Sequence, residues 1–174
     1  MLDLLNDLTE PLLIEISTVV ANDPNLDATI RDDITKARSS IEFNGRRYPN
    51  IAAIRSIVTN RCGPAGPVVH QKLIAAANTC MNIVDKLNVL SCFELLEILD
   101  SEHLCAKQAK PFQDDDEMRY FVANVLKNPE TETKIKCAGL PRKKKDRLAV
   151  LCERVAVQYA VYSGKDPSEG GIAI

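Results

Sequence analysis

Apolar residues recur every three or four positions along nearly the whole chain, which is the spacing of one face of an α-helix. The stripe closest to the N-terminus consists of Leu5, Leu8, Leu12, Ile16 and Val19. Hydrophobic residues make up 45% of the sequence, but aromatic residues make up only 5% and tryptophan is absent, so aliphatic side chains must fill the core. A core of that kind favours packed helices over sandwiched sheets. The sequence therefore predicts an all-α protein.

Breaks in this periodicity predict about eight helices in two packed halves. Ser91, followed three positions later by Glu94, has the spacing of a helix-starting capping box, and we place the start of the second half there. Residues 1–90 then form the N-terminal half and residues 91–174 the C-terminal half. The predicted helices span residues 10–22, 26–40, 50–60, 68–87, 91–102, 116–128, 131–138 and 142–163.

One short segment has the pattern of a β-hairpin. Asn44-Gly45 is a favoured two-residue turn, and both flanking segments contain an aromatic residue. A hairpin without further strands is only marginally stable. We therefore expect at most one tiny hairpin near residues 41–48, which would project Arg46 and Arg47 from the surface.

No motif in the chain indicates catalysis or metal binding. The six cysteines lie at separations that match no paired ligand or redox motif. Neither of the two histidines, His70 and His103, lies at helical spacing from a second ligand type in a way that suggests a metal site. We therefore expect a protein that is not an enzyme and has no cofactor, with thiols kept reduced. No basic start followed by an apolar run is present at the N-terminus, so we also expect a soluble, cytoplasmic protein without a membrane span.

Charge is distributed in blocks of alternating sign. Residues 1–33 carry a net charge of −7, residues 34–85 of +5, residues 86–133 of −5 and residues 134–154 of +6, although the whole chain is at −2. The densest basic run is 142–147, at the start of the last predicted helix. Cations are unfavourable there, because the helix dipole favours anions at a helix N-terminus. Such a cluster indicates a polyanion or an acidic protein as partner.

RNA is the partner that we expect, bound through its phosphates without regard to sequence. Several lysines and arginines would supply additive Coulombic contacts, and an aromatic residue beside two of the arginines could stack on a base. The predicted nucleic-acid-binding residues are Arg46, Arg47, Tyr48, Arg55, Arg61, Arg142, Lys143, Lys144, Lys145 and Arg147.

Two other interpretations compete with RNA binding. Charged runs are often only solvated helix faces, and the basic blocks could pair with acidic segments such as Asp114–Glu117 in the same chain. Alternatively the chain is a protein-interaction adaptor whose grooves accept a partner helix. RNA binding predicts that both basic blocks lie on one face, whereas an adaptor predicts an exposed apolar groove.

The layout resembles the small helical RNA-silencing suppressors of closteroviruses. The resemblance rests on the two helical halves, on the basic loop Phe43-Asn44-Gly45-Arg46-Arg47-Tyr48-Pro49 and on the basic run 142–147. It implies a viral, non-catalytic protein that self-associates into a ring and sequesters RNA in the host cytoplasm. Alternating charge blocks that can dock head to tail are consistent with a homo-oligomer.

Overall fold

The computed structural model describes residues 2–104 and 112–165, with side chains from Leu4 onward. Within these ranges it contains seven α-helices and one two-stranded sheet, so the all-α prediction holds and the predicted count of about eight helices is one too high. The segment between the predicted helices 91–102 and 116–128, and the tail after the predicted helix 142–163, lie in part outside the described residues. The elements are α1 (Leu2–Asn22), α2 (Ala28–Ala37), β1 (Ile41–Phe43), β2 (Arg46–Tyr48), α3 (Ile51–Arg61), α4 (Pro67–Ser101), α5 (Asp115–Lys127), α6 (Pro129–Cys137) and α7 (Arg142–Ser163).

The first helix begins eight residues before its predicted start at Glu10, and Pro11 lies inside it. Thr9 does not cap a helix here, because its hydroxyl donates to the carbonyl oxygen of Leu5 at 2.8 Å, a bond made within a continuing helix. Pro11 removes one backbone donor from the ladder. Leu5 is almost fully buried, so packing stabilises the turn before the proline.

The predicted hairpin near residues 41–48 is confirmed. Strands β1 and β2 are antiparallel, with Ile41 opposite Tyr48 and Phe43 opposite Arg46. Asn44 has a φ of 51° and Gly45 a φ of 77°, which are the left-handed values of a tight hairpin turn. The base of the hairpin packs into the core, since Ile41 and Tyr48 are both buried.

The predicted break between Asn88 and Ser91 is wrong, because α4 runs through this segment as one helix of 35 residues. No glycine or proline interrupts the segment, and both Asn88 and Ser91 point into the protein. The serine that we interpreted as a helix cap is therefore an interior residue. The predicted break between the helices 50–60 and 68–87 is confirmed: a short 3-10 turn ends at Ala65, and α4 begins at Pro67.

Two apolar clusters form the core, and α4 and α7 run through both of them. The first cluster joins α1, α2, the hairpin, α3, the first half of α4 and the end of α7. The second joins the last part of α4, α5 and the first part of α7. Helix α7 is antiparallel to α4, because Lys144 pairs with Glu102 whereas Asn88 bonds to the carbonyl oxygen of Val155. This pairing places the start of α7 beside the end of α4.

Candidate functional site

The basic run 142–147 forms the first turns of α7, and we call it the basic end of α7. Pro141 precedes the helix and no side chain caps it, so its first backbone N–H groups have no side-chain acceptor. The local sequence dictates this start, because proline cannot continue a preceding helix and is favoured beside a helix N-terminus. Five cations therefore lie beside a helix end that already attracts anions.

Two of these cations fasten α7 to α4. Arg147 donates from Nε to the carboxylate of Glu94 at 3.0 Å, and Lys144 pairs with Glu102. Both pairs are only partly shielded from solvent, so each contributes modestly to stability. Lys144 and Arg147 therefore serve structural contacts that compete with phosphate binding.

The other three cations project into solvent. The side chain of Arg142 is 95% exposed, and its Nε lies 3.9 Å from the carboxylate of Asp146, at the outer limit of an ion pair. Lys143 and Lys145 are exposed and pair with no carboxylate among the residues that the structure describes. Lys143 and Lys145 are thus the cations of this run that can contact a polyanion without breaking an internal pair, and Arg142 would lose only this long, exposed pair.

The hairpin places its candidates differently. Arg46 and Arg47 are exposed, as predicted, and Arg47 donates to the carbonyl oxygen of Ser39 at 3.3 Å while lying 3.8 Å from the carboxylate of Glu42. Tyr48 is only 1% exposed and belongs to the first apolar cluster. Its ring cannot stack on a base unless the hairpin unpacks, so the expected stacking role does not fit this position.

The two secondary candidates lie on α3, away from the basic end of α7. Arg61 pairs with Asp33 of α2, and Arg55 is exposed. The start of α3 contacts the opposite end of α7, since a Cβ added at Gly164 would lie 3.2 Å from the Cβ of Ala52. Because α7 has 22 residues, its two ends are roughly 30 Å apart. The structure therefore does not bring α3 and the basic end of α7 together.

The alternating charge blocks pair in part within the chain. Arg38 pairs with Glu10 at 2.6 Å, so the first basic block contacts the acidic block that precedes it, as Arg61 also does. Lys144 and Arg147 do the same in the second half of the chain. Internal pairing thus accounts for part of the pattern, and the three solvent-facing cations at the basic end of α7 are not accounted for in this way.

A buried arginine that the sequence analysis missed lies between the two apolar clusters. Arg119 is 8% exposed and donates from Nε to Asn88 at 2.7 Å and from Nη1 to Asp116 at 2.8 Å. Its Nη2 group pairs with Asp85, and its guanidinium lies over the ring of Tyr162, 4.9 Å from the centroid. Desolvation lowers the pKa of Arg119, but a guanidinium remains charged at any physiological pH. The network joins α4, α5 and α7.

A signal for this network was present in the sequence. Asn88 occupies an inward position of the α4 stripe, four residues after Val84 and four before Cys92. Arg119 lies three residues before Val122, on the apolar side of α5. When each of two predicted helices has a polar residue at a core position, a buried hydrogen-bonded pair is indicated, because burying an isolated polar group costs free energy.

The network forms one wall of a cleft between α5 and α7, which we call the tyrosine cleft. Its volume is about 390 Å³. Three of the four tyrosines in the chain line it, and Tyr120 among them is 72% exposed. The lining residues are Asp116, Arg119, Tyr120, Ala123, Asn124, Lys127, Tyr159, Tyr162 and Ser163.

A second cavity, of about 400 Å³, lies between α5, α6 and the first turns of α7, and we call it the apolar groove. Its walls are mostly aliphatic, with Lys136 and Lys145 among its polar side chains. Lys136 is paired with Glu132 at 3.1 Å. The lining residues are Leu126, Thr131, Glu132, Ile135, Lys136, Lys145, Leu148, Ala149 and Cys152.

The described cysteines and histidines show no arrangement for nucleophilic or metal chemistry. Burial raises the pKa of Cys80 to about 11 and the pKa values of Cys92 and Cys152 to about 12, so these thiols are protonated at neutral pH. His70 lies with Nε2 3.1 Å from the carbonyl oxygen of Val58. Across residues 2–104 and 112–165, no three His, Cys, Asp or Glu side chains converge as metal ligands would.

None of the helices in the described ranges has the length and apolar character that crossing a membrane requires. Comparisons of the chain with protein-family models, with characterised proteins and with solved structures found no match.

Proposed function

We propose that this chain binds RNA without sequence preference through the basic end of α7, as a self-associating protein that performs no catalysis. The observation that carries the proposal is the exposure of Arg142, Lys143 and Lys145 at an uncapped helix N-terminus. Neither internal pairing nor packing requires these cations at a position where they oppose the helix dipole.

Phosphate is the anion that this arrangement suits best. Lysine and arginine heads at a helix start, together with its unsatisfied N–H groups, can contact successive phosphates along a strand. Such contacts are electrostatic and carry no sequence information. The exposed Arg46 and Arg47 of the hairpin would extend the contact along a longer strand.

The proposal includes sequestration of RNA in the cytoplasm of a host cell, by analogy with the closterovirus suppressors that the chain resembles in layout. A self-associated form would repeat the basic end of α7 around the assembly, and repeated weak sites on one strand give avidity. Release of RNA would then need no chemical step.

Fluorescence anisotropy of a labelled random-sequence RNA tests the binding. The variant Arg142→Gln, Lys143→Gln, Lys145→Gln removes the three solvent-facing cations, and we expect it to weaken binding by roughly tenfold or more at low salt. A matched control changes Arg31, Lys36 and Lys72 to Gln. These three are exposed cations on α2 and on the opposite end of α4.

Both variants lose three positive charges. A difference between their RNA affinities therefore reports a local contact and not a general effect of charge. The proposal predicts a large loss in the α7 variant and a small loss in the control. Equal affinities of the two variants for RNA, or no binding by the unmodified chain at low salt, would refute it.

A second candidate function is docking of a partner protein in the apolar groove. The observation in its favour is an open, mostly aliphatic cavity beside Lys145, which suits an amphipathic partner helix that carries a carboxylate. Ala149 is an exposed residue of the groove, so the uncharged substitution Ala149→Gln would obstruct such docking without placing a carboxylate beside Lys145. Calorimetric titration with an acidic amphipathic peptide tests this function, and no heat above that of the blocked variant would exclude it.

A further inference from the structure

The tyrosines of this chain are concentrated in the tyrosine cleft. Of the four tyrosines, Tyr48 is in the core and the other three line this one cavity. Tyr120 is 72% exposed, so the ring contributes little to the core while presenting most of its surface to a ligand. Tyr120 therefore provides an aromatic surface for stacking, beside two further tyrosines of the lining.

The wall behind these rings is rigid. The guanidinium of Arg119 lies over Tyr162 and is itself held by Asp85, Asn88 and Asp116. Buried, fully engaged donors of this kind fix a side chain in one position. The cleft is therefore formed before any ligand enters, which lowers the entropic cost of binding.

The polar groups of the cleft are arranged along α5 from an acidic end to a basic end. Asp116, Tyr120 and Asn124 follow one another at intervals of four residues, and Lys127 comes three residues later. These spacings place them on one side of the helix, over a length of roughly 16 Å. Asn124 and Lys127 are both exposed.

The charge of the cleft favours a ligand with a neutral ring and a single anionic group. The positive charge of Arg119 is met by the carboxylates of Asp85 and Asp116. Lys127, the only other cation in the lining, pairs with no carboxylate among the described residues. An isolated polyphosphate would find one available cation here, whereas a nucleotide would find a ring surface, an amide and a cation.

The tyrosine cleft lies on the same side of α7 as a cation of its basic end. Lys145 and Ser163 are separated by 18 residues, which is five full turns, so their side chains leave the helix in the same direction. The distance along the helix is roughly 27 Å. Cys152 and Ala156, which lie between them on this side of α7, are buried in the second cluster, so a strand that contacts both Lys145 and the cleft would have to pass over α5.

We propose that the tyrosine cleft binds one unpaired nucleotide of single-stranded RNA, with its base stacked on Tyr120 and its phosphate at Lys127. The inference rests on the proposed RNA binding and adds a site for a base to a surface that otherwise contacts phosphates. Asn124 lies between the two contacts and can bond to a base edge. Stacking on tyrosine tolerates every base, so the site adds affinity without strong sequence preference.

Two oligonucleotides of about twelve nucleotides distinguish phosphate binding at the basic end of α7 from base binding in the tyrosine cleft. One is an RNA of mixed sequence, and the other has the same ribose-phosphate backbone without bases. We expect the chain to bind the base-bearing strand roughly tenfold more tightly, in line with a stacking contribution of about 1.4 kcal/mol. Tyr120→Leu removes this difference, whereas the matched control Tyr120→Phe retains the ring and keeps it.

Tyrosine fluorescence gives a second readout, because the chain has no tryptophan. We expect the base-bearing strand to quench it and Tyr120→Leu to lose most of the quenching. Equal affinity of the chain for the two strands, or an unchanged preference in Tyr120→Leu, overturns the cleft proposal while leaving phosphate binding in place. Failure to bind either strand refutes the proposed function and this inference together.

Discussion

Arg119 links three helices through its guanidinium. Its guanidinium contacts Asp85 and Asn88 of α4, Asp116 of its own helix and Tyr162 of α7. Desolvating a guanidinium costs free energy, which these partners offset. The network therefore adds little net stability. Its main effect is to hold the three helices in one arrangement.

Replacing Arg119 with methionine should lower the free energy of unfolding by about 2–4 kcal/mol. The substitution keeps much of the side-chain volume but leaves Asn88 and the partly buried Asp85 without their partner. Urea unfolding followed by circular dichroism measures the change. The control Arg142→Met alters a residue that is 95% exposed and should stay within about 0.5 kcal/mol of the unmodified chain. Equal stabilities of the two variants would contradict the account of the network.

The buried thiols make stability depend on alkaline pH. Burial raises the pKa of Cys80 to about 11 and the pKa values of Cys92 and Cys152 to about 12, from an ordinary value near 9. Between those values the unfolded chain loses thiol protons that the folded chain keeps. The free energy of unfolding therefore falls as pH rises above about 9.

We expect each of these thiols to contribute roughly 1 kcal/mol to the loss of stability between about pH 8 and pH 10. Urea unfolding at the two pH values measures it, with Cys92→Ala, Cys152→Ala as the comparison. That variant is less stable at both pH values because of its cavities. The decrease between the two pH values should nevertheless be smaller in the variant, and an identical decrease would show that other groups cause it.

At the scale of single residues, the main error was the expectation that Tyr48 is exposed. That expectation came from residue type alone. Tyr48 follows two exposed arginines in a short strand, where alternation alone permits either face. The pairing of Tyr48 with Ile41 at the base of the hairpin directs its ring into the core. The sequence around Tyr120 carried no signal for the cleft, because the tyrosines that line it with Tyr120 come from α7, about 40 residues later.

The helices themselves were largely predictable, because their apolar stripes and their glycine and proline breaks are local. The helix predicted over 142–163 is confirmed with the same bounds, and the helix predicted from residue 50 to 60 begins at Ile51 and ends at Arg61. The errors came where packing overrode a local signal. Ser91 and Glu94 match a capping box, but α4 continues through this segment and buries Asn88, Ser91 and Cys92 along one face.

The continuity of α4 can be tested at its interior serine. In a continuous helix, Ser91→Ala should change the free energy of unfolding by less than about 0.5 kcal/mol, because alanine has the better helix propensity. Asp114→Ala is the positive control, since Asp114 caps α5 by accepting from the N–H of Glu117 at 2.8 Å. We expect the control to cost about 1 kcal/mol in urea unfolding. A cost for Ser91→Ala as large as that of the control would indicate a helix start at this position.

At the scale of the whole molecule, part of the charge pattern is used inside the chain. Pairs such as Arg38 with Glu10 and Arg147 with Glu94 show that neighbouring blocks of opposite sign join helices within the chain. The sequence alone could not show which cations form these ion pairs. Of the basic end of α7, Lys144 and Arg147 are engaged and Lys143 and Lys145 are not, because only the first two lie beside the acidic end of α4.

The salt dependence of RNA affinity tests the central claim most directly. For a single strand, the logarithm of the binding constant falls against the logarithm of the salt concentration with a slope of roughly −0.7 for each phosphate neutralised. We predict a steep slope for the unmodified chain, and a slope shallower by about 2 for Arg142→Gln, Lys143→Gln, Lys145→Gln. The control Arg31→Gln, Lys36→Gln, Lys72→Gln should retain the original slope. A slope that is the same in all three proteins would contradict phosphate binding at the basic end of α7.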